Sequence, residues 1–263
     1  MSKLLFSFLL FFISSLCHGQ PLPQLAPPLL KYPSVFFKNT AIATLQFAQQ
    51  GTKIYYTLNN KQPTLHDKVY AKPILIKKSF TTLKAMVYGN GFLPSEIVAA
   101  TFIRDGLKIQ SIQQTPANER FQGNGKNTLI DNEGGITAMN AKNWLGYQQD
   151  TVEVNITLQE KQKLQSVLIN FLEDHGSWIF LPEQIQLFYF DEGRQFYELM
   201  AQQFFAADKI SEPATCKPIL ITASKKTITK KIKIKLMGIK SLPEGHPGKG
   251  QHGWIFIDEI KCY

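Results

Sequence analysis

The side chains most able to do chemistry lie near the end of the chain. Asp258 and Glu259 are adjacent carboxylates, and His246 and His252 flank a glycine-rich loop that leads to Trp254. A hydrolytic pair must face one glycosidic bond from both sides, whereas neighbours on a strand project to opposite faces. Asp258 and Glu259 are therefore not expected to be a catalytic pair. His175, His246 and His252 come from separate loops without the local spacing of a zinc site, and read as loop histidines. The aromatics offer more. Trp144, Tyr147, Trp178, Phe180 and Trp254 all adjoin glycine-bearing loops, and an aromatic face can take the C–H face of a sugar while polar neighbours take its hydroxyls. Trp254 and Phe256 share one strand face, as do Trp178 and Phe180, so some of these rings must be buried. Trp178 and Trp144 are expected at the surface. Tyr147 completes the candidate binding set, with His175, Glu244 and His246 as polar companions.

These loops need a frame, and the pattern around them is β throughout. Between Ser34 and Ile103, short runs such as Ala43–Phe47, Lys53–Leu58 and Leu83–Tyr88 are separated by turn residues, and no helical period survives. Composition shifts at Asp105-Gly106. Beyond it, Val152–Leu158 alternates cleanly, Leu164–Phe171 and Ile185–Phe190 follow, and Trp254–Ile260 closes the chain. Residues 20–33 are proline-punctuated and read as an extended lead.

The net charge is +9. Six of the lysines lie in 225–235, where Ile232, Ile234 and Leu236 alternate with Lys231, Lys233 and Lys235. That is strand period with one face solvated, which also discourages edge pairing. No nucleic-acid motif accompanies the charge, and nucleic acid is not expected as a partner.

Residues 1–19 read as an export signal: Lys3, an apolar run from Leu4 to Leu16, then Cys17-His-Gly19 with small residues at −3 and −1 of a cleavage site. The apolar run is about a dozen residues, against the roughly 20 that spanning requires. Leu16 stands where lipid attachment to Cys17 wants a small residue, so lipidation is the weaker reading. In an oxidising compartment Cys216 and Cys262 can form a disulfide, or remain two unrelated buried thiols.

The first half carries a resemblance. Ile54-Tyr-Tyr-Thr-Leu-Asn-Asn-Lys-Gln-Pro-Thr64, Tyr70-Ala-Lys-Pro-Ile74, Thr82-Leu-Lys-Ala-Met-Val-Tyr88 and Gly91-Phe-Leu-Pro-Ser-Glu96 resemble the fibronectin-like module beside chitobiase and β-hexosaminidase catalytic domains. In the second half, Leu129-Ile-Asp-Asn132, Asn143-Trp-Leu-Gly-Tyr147, Gly176-Ser-Trp-Ile-Phe-Leu-Pro182, His246-Pro-Gly248 and Trp254-Ile-Phe-Ile-Asp-Glu-Ile260 resemble the discoidin-like, galactose-binding-type jelly roll appended to bacterial family 20 β-N-acetylhexosaminidases. The resemblance implies an immunoglobulin/fibronectin-like sandwich over residues 34–104 and a discoidin-like jelly roll over 107–263. It also implies a structural calcium between Asp131 and Glu259, although the loop reads Asp131-Asn132-Glu133-Gly134 rather than Asp-Gly; without a metal, Asp131 reads as a turn former and Glu259 as the partner of a lysine.

The catalytic barrel of those enzymes needs about 250 residues of its own, and two sandwiches occupy this chain. The expectation is an exported, non-catalytic carbohydrate-binding protein, periplasmic, cell-surface or extracellular. Its glycan would be of N-acetylhexosamine or galactose type, bound at the loops of the second half. The alternatives are a protein–protein or adhesion module with a cell-envelope partner, and a detached accessory part of a family 20 hexosaminidase.

Overall fold

The computed structural model describes residues 22–206 and 213–263. The expected export signal, with Cys17, lies outside the described residues. Eight strands build the first unit: β1 (Leu29–Lys31), β2 (Phe36–Phe37), β3 (Ala41–Gln46), β4 (Thr52–Thr57), β5 (Lys68–Val69), β6 (Ile74–Ile76), β7 (Thr81–Gly89) and β8 (Val98–Arg104). They form two sheets, β1-β3-β6 and β2-β8-β7-β4-β5, which enclose a core of Ala43, Leu45, Ile76, Leu83, Val87 and Phe102. The alternation in β3, with Ala41, Ala43 and Leu45 inward, supplies one wall of it. The extended lead over residues 20–33 also takes part in the first sandwich. Leu29–Lys31 pairs with β3, and Leu25 and Leu93 tie the segment down through Leu25 N–H to Leu93 O and Leu93 N–H to Pro23 O, both 3.0 Å. Prolines lack only their own N–H, so the residues between them can still close an edge.

The second unit contains β9 (Ile109–Gln114), β10 (Leu145–Tyr147), β11 (Thr151–Glu173), β12 (Gln184–Asp191), β13 (Phe196–Phe204), β14 (Thr215–Met237) and β15 (Ile255–Cys262). The order is β10-β15-β11-β14-β12-β13, with β9 beside β11. β11 and β14 are 23 residues each, so the two runs expected at Val152–Leu158 and Leu164–Phe171 belong to one strand. The polar stretch between them lacks glycine and proline, and the strand crosses it through register shifts rather than a turn. This bend carries one antiparallel ribbon into both layers of the sandwich. A front layer holds β9, β12, β13, the first half of β11 and the second half of β14. A back layer holds β10, β15 and the other halves. Val152, Val154 and Ile156 meet Val167, Ile169 and Phe171 between them. The chain is thus all-β: an immunoglobulin/fibronectin-like sandwich followed by a discoidin-like jelly roll.

The outer face of the back layer packs on the first unit. Leu168 is wholly buried within the first unit's core cluster, and the Tyr263 hydroxyl donates to Arg104 O at 2.7 Å. The chain crosses between the units at Gly106, where an added Cβ would lie 1.9 Å from the Cys262 carbonyl oxygen. Only glycine fits that approach.

Cys216 and Cys262 are both free, so the disulfide alternative is corrected. Cys216 lies opposite Leu172 on β14 and Cys262 opposite Val167 on β15, on opposite sides of β11. Two strand spacings, about 9.6 Å, already exceed the roughly 7 Å that a bridge tolerates between Cα atoms. Burial pushes both thiols up to about 12. Ellman's reagent should leave both unreacted in the folded protein at pH 8 and find both after denaturation without reductant; a bridged protein would yield neither.

Candidate functional site at the loop end of the jelly roll

The structure takes most of the sequence-predicted set into the interior. Trp144 is 1% exposed, and its indole N–H donates to Ile136 O at 3.0 Å. Tyr147 is fully buried in the inter-layer core. The expected exposure of Trp144 and the place of Tyr147 in the binding set are both corrected: β10 and the residue before it lie against the 115–144 loop and β15, so these aromatics face packed neighbours.

His175 and His246 are brought together, as structure rather than as ligands. His175 stacks on Phe180 with centroids 4.1 Å apart and lies 3.3 Å from Glu173 Oε1. His246 Nδ1 accepts the Gly248 N–H at 3.0 Å, which leaves Nε2 to donate to His175 O at 2.8 Å. Trp178 is partly exposed, but it is wedged in place in the left-handed region at φ 66°. A Cβ on Gly248 would meet the Trp178 ring at 2.8 Å. Glu244 is exposed and pairs with Lys249 at 2.6 Å.

What remains open to solvent is a hollow that the sequence reading did not assemble. Arg120, Phe121, Met139, Ser177 and Trp254 surround a cavity of about 300 Å³ including open solvent, with Ile179 and Phe256 beneath. Trp254 is pinned through its backbone, its N–H donating to Trp178 O at 2.8 Å and its carbonyl accepting from Phe180 N–H at 2.9 Å. Phe121 contacts Trp254 edge-on at 5.4 Å. It is held by Gly146, whose N–H donates to Phe121 O at 3.0 Å and where a Cβ would collide with Phe121 and Phe256. The Arg120 guanidinium lies 5.5 Å from the Phe121 ring centre, and an Asx turn from Asn118 Oδ1 to Arg120 N–H sets the loop. Among the described residues, Arg120 is the only ionisable one lining the hollow. The place can bind, through a ring face, a guanidinium and the Ser177 hydroxyl, but it holds no acid–base pair. Trp254 was a sequence candidate, whereas nothing in Asn118-Glu-Arg-Phe121 signalled the site.

Of the two adjacent carboxylates, Glu259 takes the lysine partner that was the alternative to calcium, and Asp258 serves the loop beside it. β15 bulges at Asp258, since Asn170 pairs with Glu259 and Phe171 with Ile257. The bulge turns both carboxylates to the same side, against the alternation rule. Asp258 accepts from Gly135 N–H and Asn170 Nδ2, each at 2.8 Å. Glu259 accepts from Asn132 N–H and Lys261 Nζ, each at 2.8 Å. Both are fully buried, with no approach for a substrate.

The same geometry tests the implied calcium. The Lys261 ammonium lies among the oxygens a cation would use: Asp105 Oδ1 at 2.6 Å, Asn132 Oδ1 at 2.8 Å and Glu259 Oε1 at 2.8 Å. An ammonium has three donors, and all three are used. Asp131 instead accepts the Glu133 N–H at 2.8 Å, and among the described residues no group of three or more His, Cys, Asp or Glu could hold a metal. Asp131 and Glu259 do not fit calcium, because a side chain of the same fold supplies the cation. Among the described residues no helix is long and apolar enough to cross a membrane.

Residues 43–102 match the family described as Fn3 associated. This Fn3-associated stretch covers the first sandwich from β3 to β8. No curated protein matches the chain. Among solved structures, the family 32 carbohydrate-binding module from Streptococcus pneumoniae EndoD is 16% identical with a TM-score of 0.39, over 60% of this chain and 96% of that one. The C-terminal domain of a chitobiase from Bacteroides fragilis is 16% identical with a TM-score of 0.37, over 59% and 91%. A pectin-binding carbohydrate-binding module is 14% identical with a TM-score of 0.35, over 59% and 91%. Likeness at this level argues nothing about what this chain binds.

Two outcomes follow for the buried charges. Lys261→Met leaves three oxygens without their donor and should cost about 3–5 kcal/mol in denaturant melts, while millimolar calcium or EDTA leaves the wild-type melting temperature unchanged. Burial raises the Asp258 carboxyl to about 7, above the unfolded value of about 4. Its contribution is therefore complete below about pH 4 and lost as pH rises towards 7, by up to about 4 kcal/mol. Melts from pH 4 to 8 should show this loss in wild type relative to Asp258→Asn.

Proposed function

We propose that this chain is an exported, non-catalytic carbohydrate-binding protein that takes a sugar ring in the hollow at Trp254. The observation that carries the reading is the composition of that hollow. A partly exposed indole fixed by two backbone hydrogen bonds stands beside Arg120 and Ser177, and among the described residues Arg120 is the one ionisable group at its edge. An indole face offers apolar area to the C–H face of a pyranose, and a guanidinium with five donors can bridge adjacent hydroxyls or a carboxylate. Carbohydrate of N-acetylhexosamine or galactose type is the ligand class to try first.

The test is a glycan array on the chain lacking residues 1–19, followed by calorimetry on the best glycan. Arg120 is exposed, so Arg120→Ala should weaken binding about tenfold or more, about 1.4 kcal/mol, with the melting temperature unmoved. Trp254→Ala should abolish binding. Trp144→Ala should instead lower stability by about 3–5 kcal/mol through an internal cavity while folded protein still binds. Absence of binding to every glycan, with a cell-envelope protein captured through Trp254, would replace this reading with a protein partner.

A further inference from the structure

The outer face of the front layer carries an arrangement that the hollow does not explain. Register places Lys233 of β14 opposite Phe188 of β12 and Lys235 opposite Gln186. Across the next strand boundary, Phe188 lies opposite Leu199 of β13 and Phe190 opposite Tyr197. Because side chains alternate, Lys231, Lys233 and Lys235 form a row on one face, about 6.8 Å apart along the strand. The rings and Leu199 form an apolar strip beside it. The Phe190 and Tyr197 rings touch, with centroids 5.2 Å apart. Lys231 Nζ lies 5.1 Å from the Phe190 centroid and Lys233 Nζ 4.6 Å from the Tyr197 centroid. Lys235 pairs with Glu153 at 2.9 Å, and the charge of Lys233 acts on the same carboxylate from farther off, but among the described residues neither Lys231 nor Lys233 makes a salt bridge of its own.

A face that only kept the protein soluble would need the lysines and not the rings. Here Leu199 is 48% exposed, and the half-buried rings of Phe188, Phe190 and Tyr197 keep open surface beside the lysine stems that cross them. Two ammonium groups without a salt bridge call for anionic groups in a row, and the flat rings beside them call for apolar faces at the same spacing. An acidic peptide would satisfy the first requirement alone.

We propose that this face binds an acidic polysaccharide, its carboxylates on Lys231 and Lys233 and its sugar faces on Phe188, Phe190 and Tyr197. The ligand class rests on the carbohydrate reading above, whereas the site is separate from the Trp254 hollow.

The experiment is affinity electrophoresis of the chain lacking residues 1–19 in gels containing polygalacturonate, its methyl ester or polyglutamate, at two salt concentrations. Wild type should be retarded by polygalacturonate, about tenfold less by the neutral ester, and weakly by polyglutamate. The double variant Lys231→Gln/Lys233→Gln should lose about tenfold in affinity. Lys225→Gln/Lys226→Gln, an equal charge change at exposed positions elsewhere on β14, should stay within about twofold. Tyr197→Ala should weaken retardation without changing net charge. Equal losses from both lysine pairs would reduce the effect to bulk charge and overturn the proposal, as would retardation by polyglutamate matching that by polygalacturonate. Arg120→Ala separates the two sites. Retained polygalacturonate binding with no sugar bound at the hollow would sink the hollow and keep this face; the converse would sink this face alone.

Discussion

A single ammonium group ties the two units together. Lys261 reaches Asp105 in the crossing between units, Asn132 in the long loop of the second unit, and Glu259 two residues away on its own strand. Its charge also lies 5.8 Å from the Phe36 ring of the first unit. A buried ammonium is costly unless every donor is matched, and here the matching partners come from three separate parts of the chain. Satisfying the lysine therefore fixes where the loop, the crossing and the last strand lie relative to one another.

Beside it, the bulge at Asp258 extends the same control along the loop. Asn132 and Gly135 donate their backbone N–H groups to Glu259 and Asp258 respectively. Gly134 between them has no room for a Cβ, which would lie 2.2 Å from Asp258 Oδ2. The carboxylates thus act as internal acceptors for a loop that could not otherwise satisfy its backbone. Burial raises both above the usual carboxylate range, Glu259 against the pull of Lys261. The apolar core supplies most of the driving force, while these polar contacts choose one arrangement for the loops above it.

The fold was legible wherever side chains kept a period of two. Val152–Leu158 and Lys231–Leu236 show it, and both are strand in the structure. Legibility ended where burial depends on distant neighbours. Trp144 and Tyr147 look exposed beside Gly146, but that glycine is there to admit Phe121 and Phe256. The alternation rule separated Asp258 from Glu259, and one inserted residue defeated it. Lys261 gave no local sign of its role, because Asp105 and Asn132 are remote in sequence and meet it only after both units pack. The hollow escaped for the same reason: Arg120, Ser177 and Trp254 lie on three loops. β13 carries mixed polar and apolar residues without a clear period, and it shows as a strand only once paired with β12.

The place of β15 in its layer has a bearing on when the protein can fold. It is the last strand described, yet it lies between β10 and β11 and carries the lysine on which the junction depends. The back layer therefore cannot close while residues near Cys262 are still inside the ribosome. At about 5–20 residues per second, a nascent chain spends on the order of a few seconds with β11 and β14 made and β15, the neighbour of β11, missing. During that interval Leu168 and the inner face of β11 have no complete partner surface, and the chain stays open enough for a machinery that handles unfolded polypeptide to hold it.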